Sequence, residues 1–129
     1  MSEKIYRVGI IGGGLMGKEF ASAAARWCHI LEPSPRPVVV GVCDPVPAAR
    51  AWFEQLPTLK YSVEDYHELL NKDDIDVIYC AIPHNMHEQV YCDIIRAGKH
   101  LMGEKPFGMD YQANAAIIKT AQEHPEVFV

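Results

Sequence analysis

Long apolar runs are missing from this chain. No stretch approaches the roughly 18 consecutive apolar residues of a membrane helix, so no spanning helix is expected and no membrane partner. The opening residues, Met1-Ser2-Glu3-Lys4, place no cationic stretch ahead of an apolar one and do not read as a secretory signal. Basic residues are few, 12 Lys and Arg against 17 Asp and Glu, and they form no cluster. With a net charge of −5 this argues against a nucleic-acid partner. Only four cysteines occur, Cys28, Cys43, Cys80 and Cys92, and no two stand at C-x-x-C spacing, which argues against a zinc or redox pair. Buried free thiols are expected instead, because free cysteine packs as a small hydrophobe. They fit a reducing, cytoplasmic setting. Internal repeats and low-complexity segments are also absent.

What remains is an ordinary globular composition. The 129 residues are 49% hydrophobic and 22% charged, enough for one domain with a real core. Strand-like and helix-like segments alternate. Ile5 to Ile11 is a short β-branched run broken by Gly12-Gly13-Gly14. Leu15 to about Trp27 reads as a helix, followed by a loop with Pro33, Pro35 and Pro37. Val38 to Cys43 is a second strand ended by Asp44-Pro45, and Ala48 to Gln55 a second helix. Leu59 to Tyr61 is a candidate edge strand. Ser62 with Asp65 resembles a capping box opening a short helix toward Leu70. Ile75 to Ile82 is a further strand stopped by Pro83, and Asn85 to Ala97 a helix with Met86, Val90 and Ile94 along one face. Gly98 is a natural terminator for it. His100 to Met102 forms a strand, Asp110 caps a helix to about Gln122, and Glu126 to Val129 begins another strand. This alternation predicts an α/β fold, a doubly wound parallel sheet covered on both faces in three α/β/α layers.

The segment Gly12-x-Gly14-x-x-Gly17 follows a strand and opens a helix, the setting in which G-x-G-x-x-G marks a Rossmann dinucleotide site. Gly12 permits the tight turn, Gly14 lets backbone approach a pyrophosphate, and Gly17 lets helix and strand pack closely. The anion would meet the free N–H groups of the helix start. Asp44 ends the second strand, where a carboxylate accepts the adenosine ribose hydroxyls; it could equally cap the next helix. It lies 27 positions after Gly17, the excess over the usual spacing being the proline-rich loop. A carboxylate repels a 2′-phosphate, and Pro45 and Val46 offer no cation. Arg50 stands at least a helical turn further on. NAD is therefore expected ahead of NADP. His84 and His87 would share a helix face, but nothing completes a metal set at usual spacing, so no metal is expected.

Three further segments carry a family resemblance: Ala81-Ile82-Pro83-His84-Asn85-Met86-His87, Ala97-Gly98-Lys99-His100 and Glu104-Lys105-Pro106. Together they resemble the Gfo/Idh/MocA dehydrogenases over nearly the whole chain. That resemblance implies cofactor roles for Gly12, Gly14 and Gly17, with Leu15 and Met16 lending backbone near the pyrophosphate and nicotinamide, and for Asp44 at the adenosine ribose. It implies that Pro83, Asn85 and His87 lie beside the nicotinamide ribose and Glu104 and Lys105 at the nicotinamide end. Lys105 is the implied catalytic residue, and its bond to Pro106 a candidate cis peptide. An ammonium there would stabilise alkoxide charge as a hydride leaves, and a neutral amine would take the proton. The alternative for Lys105 is an ordinary ion pair with Glu104.

The resemblance also implies a small-molecule substrate, a sugar, cyclitol or related polyol, and a homo-oligomeric parent enzyme. Residues 1–129 read as its dinucleotide-binding domain, with a following substrate domain outside this chain; alone, the piece is expected to bind NAD weakly and turn over nothing. Competing expectations are a non-catalytic dinucleotide-binding or regulatory module, an imine or biliverdin-type reductase, and an NAD-dependent glycosidase. Lys105 favours an enzyme over a redox-dead module.

Overall fold

A computed structural model of the protein describes residues 3–129. Five strands form one parallel sheet in the order β3-β2-β1-β4-β5. They are β1 (Ile5–Ile11), β2 (Arg36–Cys43), β3 (Tyr61–Val63), β4 (Val77–Cys80) and β5 (His100–Gly103). Helices α1 (Leu15–Ala25), α2 (Pro47–Ala51), α3 (Tyr66–Leu70), α4 (His87–Arg96) and α5 (Tyr111–Glu123) complete the chain. The chain steps outward from β1 to β2 and β3, then returns to the other side of β1 for β4 and β5. The order therefore reverses between β1 and β4, and their C-terminal ends open a crevice there.

Successive strand side chains point to opposite faces, which sorts the core into two halves. Val8, Ile10, Val39, Val42 and Tyr79 pack with Ala21 and Ala24 of α1 and with Phe53. Ile11, Val40, Ile78 and Cys80 pack on the other face with Leu69 of α3, Tyr91, Ile94 and Ile95 of α4, and Ile117 of α5. Small alanines on α1 let that helix lie close to the sheet.

At the N-terminal edge of the sheet Arg7, Asp76 and Lys99 are engaged with the chain itself. Arg7 grips Asp76 with two side-chain bonds of 3.0 and 2.8 Å, and its N–H adds a third of 2.8 Å. The guanidinium holds the Asp76 carboxyl below its ordinary range. Helix α4 ends where Gly98 takes φ +76°, and its N–H donates to the Ile95 carbonyl at 2.9 Å. The reversal turns Lys99 inward. Its buried ammonium donates to the carbonyls of Lys72 at 2.5 Å and Ile75 at 2.8 Å.

Several boundaries differ from the sequence expectation. The first helix stops at Ala25, and Trp27–His29 tightens to a 3₁₀ turn; the second is α2 plus a 3₁₀ turn, Trp52–Gln55. The edge strand falls at Tyr61–Val63, so Ser62 lies in the sheet and caps nothing. Asp65 is the cap of α3, accepting from the His67 N–H at 2.9 Å. A 3₁₀ turn, His84–Met86, precedes α4, which leaves Met86 exposed and off the apolar face. Asp110 caps α5 as expected, accepting from the Ala113 N–H at 2.8 Å. Residues 126–129 form no strand: the Leu101 N–H donates to the Phe128 carbonyl, but the Phe128 N–H turns to the His100 ring, and one bond makes no ladder. Cys43, Cys80 and Cys92 are buried, whereas Cys28 is exposed on the turn after α1.

Candidate dinucleotide cleft

The glycine loop is built from its neighbours' backbones. Gly12 takes φ +105°, and its N–H donates to the Cys43 carbonyl at 2.9 Å. A Cβ at Gly12 would drive into the Ala81 carbonyl, and one at Gly17 into the Gly12 carbonyl, so neither position admits a side chain. Gly14 is the opposite case. It is the N-cap of α1, without a side-chain cap, and nothing lies within 4 Å of where its Cβ would stand. No acidic residue occupies the first turn of α1. The first N–H groups of the helix therefore face open space, with their partial positive charge unanswered by the chain.

Asp44 closes the loop from the side. One carboxylate oxygen accepts from the Gly13 N–H and the other from the Val46 N–H, each at 2.8 Å. A carboxylate has about four acceptor directions, so two such bonds leave room for ribose hydroxyls. Asp44 is not itself the N-cap of α2; Val46 is. Arg50 does reach back, and Nη1 donates to the Asp44 carbonyl at 2.5 Å.

Beyond the loop, Gly14, Leu15, Met16, Ala81, Ile82, His84, Glu104 and Lys105 line a cleft of about 310 Å³. Glu104 is fixed on three sides. Its N–H donates to the Cys80 carbonyl at 3.1 Å, its carbonyl accepts from the Tyr91 hydroxyl at 2.8 Å, and its carboxylate accepts from the Tyr79 hydroxyl at 2.5 Å. Burial, reinforced by the bond to Glu104, pushes the Tyr79 hydroxyl well above its ordinary range and keeps it a proton donor. Tyr79 is itself braced by Phe20 of α1, the two rings stacked at 4.4 Å. Lys105 stands beside this on an exposed turn, and its bond to Pro106 is cis. Among the described residues it makes neither ion pair nor side-chain hydrogen bond. The ordinary ion-pair reading fails because Glu104 faces Tyr79 instead.

The βα turn after β4 corrects one expectation. His87 is fully buried, and both ring nitrogens meet backbone carbonyls, so it stands behind the cleft wall rather than beside a ribose. Pro83 and Asn85 are exposed on the same turn, and His84 is the residue of that turn that lines the cleft. Sequence reasoning missed His84 as a lining residue, Tyr79 and Tyr91 as supports of Glu104, and Lys99 as a buried clamp. His84 was detectable from its place between Pro83 and Asn85. The other three depend on long-range contacts that leave no local signal.

A parallel sheet with its order reversed at β1, a glycine loop opening α1 and a carboxylate at the end of β2 define a Rossmann domain of the dinucleotide-binding class. The chain belongs to the Gfo/Idh/MocA oxidoreductase family, NAD-binding Rossmann fold, whose model matches residues 6–129. It is 27% identical over 120 residues to an inositol 2-dehydrogenase/D-chiro-inositol 3-dehydrogenase of Lactiplantibacillus plantarum, covering 92% of this chain and 33% of that protein. It superposes with a TM-score of 0.84 on scyllo-inositol dehydrogenase from Lactobacillus casei with bound NAD(H) and scyllo-inositol, at 27% identity over 96% of this chain and 35% of that one. A variant of a 3-ketoreductase from Actinomadura kijaniata, in complex with TDP-benzene and NADP, superposes at 0.77 with 28% identity, over 94% of this chain and 35% of that one. The chain thus spans about a third of the length of the relatives it matches.

Proposed function

We propose that this chain is the cofactor-holding domain of an oxidoreductase that moves a hydride between NAD and a sugar, cyclitol or related polyol. The observation that carries the reading is one continuous cleft that joins the open start of α1, at Gly14, to Lys105, a lysine with no partner among the described residues. NAD fits the residues present: Gly12 and Gly17 admit no side chain, Gly14 leaves space, and the first N–H groups of α1 suit a pyrophosphate. Leu15 and Met16 give backbone beside it, and Asp44 receives the adenosine ribose hydroxyls. Its charge disfavours a 2′-phosphate, since Arg50 is occupied with the Asp44 carbonyl. Pro83, His84 and Asn85 flank the nicotinamide ribose, and Glu104 and Lys105 stand at the nicotinamide end.

The bound nicotinamide would supply hydride-accepting or hydride-donating chemistry. The chain's own residues orient and stabilise. Tyr79 and Tyr91 fix Glu104, whose carboxylate is turned to the Tyr79 hydroxyl and makes no ion pair with Lys105 among the described residues. Lys105 is thereby free to point its Nζ at a substrate hydroxyl, where it stabilises alkoxide charge or accepts the proton. In this reading a second domain supplies the substrate pocket, further catalytic groups and the contacts of a homo-oligomer. The three buried free thiols support a cytoplasmic location. Titration with NADH and NADPH, followed by nicotinamide fluorescence, tests the cofactor assignment. NADH is expected to bind about tenfold or more tighter than NADPH. Failure of both to bind, or preference for NADPH, overturns it.

A further inference from the structure

Three backbone carbonyls surround the buried ring of His87. Nδ1 lies 2.7 Å from the Pro106 oxygen and 3.2 Å from the Phe107 oxygen, and Nε2 lies 3.1 Å from the Ile82 oxygen. No donor faces the ring, so His87 must supply the N–H in any bond it makes; the short contact assigns that N–H to Nδ1 and the bond to Pro106. The ring stands behind the cleft: Ile82, whose carbonyl it faces, lines the cleft, and so does Lys105, the residue before Pro106. One helical turn further along α4, Tyr91 stacks on His87 at 4.6 Å and donates to the Glu104 carbonyl. A Cβ at Gly103 would come within 2.6 Å of the Tyr91 ring, so the chain lies directly on that side chain. Two residues of α4 therefore pin the loop at 104, 106 and 107, and the residue left unheld between them is Lys105.

We propose that His87 is a positioning residue: standing behind Ile82, its Nδ1–H holds the Pro106 carbonyl and so fixes where Lys105 and Glu104 stand at the nicotinamide end of the cleft. This rests on the dinucleotide reading above. It also explains a fully buried histidine that touches neither solvent nor the cleft.

The clasp acts on one end of the cofactor site only, which gives it a distinctive readout. The chain is titrated with NADH, which occupies both ends, and with ADP, which occupies the adenosine end. His87→Phe keeps a ring but no donor. It is expected to weaken NADH about tenfold, the scale of one buried hydrogen bond, and to leave ADP unchanged. His87→Asn returns a donor near the Nδ1 position and is expected to restore most of the NADH affinity. In the free protein, the acetylation rate of Lys105 under trace acetic anhydride, read by peptide mass spectrometry, is expected to change in His87→Phe and return in His87→Asn. A purely structural role would weaken NADH and ADP alike, and that result, or no change in either, overturns the clasp. If His87→Phe does not fold, His87→Gln, whose donor falls near Nε2, replaces it: NADH affinity nearer to wild type in His87→Asn than in His87→Gln supports the proposal, and the reverse order overturns it. A wild-type chain that binds neither ADP nor NADH removes the dinucleotide reading and the proposal together. Binding of both with no difference among variants removes the clasp alone.

Discussion

Two lysines six residues apart, Lys99 and Lys105, sit at opposite ends of β5 and live in opposite circumstances. Lys99 is buried at the N-terminal edge of the sheet with its ammonium on two carbonyls. Lys105 stands at the C-terminal edge with no partner among the described residues, although a carboxylate is its neighbour in sequence. Other polar groups at the two edges show the same contrast. At the N-terminal edge Arg7 and Asp76 hold each other, and Lys60 and Tyr61 both bind Asp74. At the C-terminal edge the first N–H groups of α1, part of Asp44 and all of Lys105 remain open. One edge stabilises the fold with its polar groups; the other keeps them for something that is not part of the chain.

The largest effect that would sharpen this contrast is on turnover. On the function proposed above, Lys105→Ala is expected to lower kcat for hydride transfer with a polyol by about 10²- to 10⁴-fold with the melting temperature unchanged. An unaltered rate would leave Lys105 an ordinary surface residue. Next come the glycines. Gly12→Ala forces a side chain into φ +105° and against a carbonyl, and is expected to cost about 2 kcal/mol or more of stability by chemical denaturation. Gly14→Ala adds a Cβ that meets no neighbour, so its expected signature is stability lowered by no more than about 1 kcal/mol with weakened NADH binding. Lys99→Met leaves two carbonyls without a donor and is expected to cost about 1–3 kcal/mol while NADH affinity holds.

A smaller effect follows from Asp76. Its carboxyl is held below the ordinary range by Arg7, so its stabilising contribution is complete above that range and disappears as pH falls through the depressed value. Asp76→Asn should therefore melt earlier than wild type at pH 7, with the gap closing in acid. The smallest effect is chemical. Burial pushes the Cys43 thiol up to about 12 and Cys80 higher still, so a disulfide reagent at pH 8 should find one fast thiol, Cys28, and the others only on unfolding.

Much of the C-terminal edge was legible in the sequence because it is made of local signals. Gly12, Gly14 and Gly17 announce a strand-to-helix turn, Asp44 ends an apolar run, and Glu104-Lys105-Pro106 follows the last strand. The doubly wound parallel sheet could be argued from alternation alone. Other features could not, because the groups that make them are distant in sequence. Tyr79 reads as one more apolar strand residue until Glu104 is brought to its hydroxyl, 25 positions away. The family resemblance implies that His87 is a cofactor neighbour, and only the packing of α4 under the 104–107 loop turns it inward. Ser62 was mistaken for a cap because pairing with β2 outweighed a short-range motif. Residues 126–129 look like a strand by composition, yet one backbone bond to Leu101 does not extend the sheet.

The contrast between the two edges can be tested in one experiment, by following the backbone amide resonances of the chain as NADH is added. The account predicts shifts at Gly12 to Gly17, Asp44, Val46, Ile82, His84, Glu104 and Lys105, with Arg7, Asp76 and Lys99 unmoved. Shifts centred on the N-terminal edge, or none at saturating NADH, would contradict it.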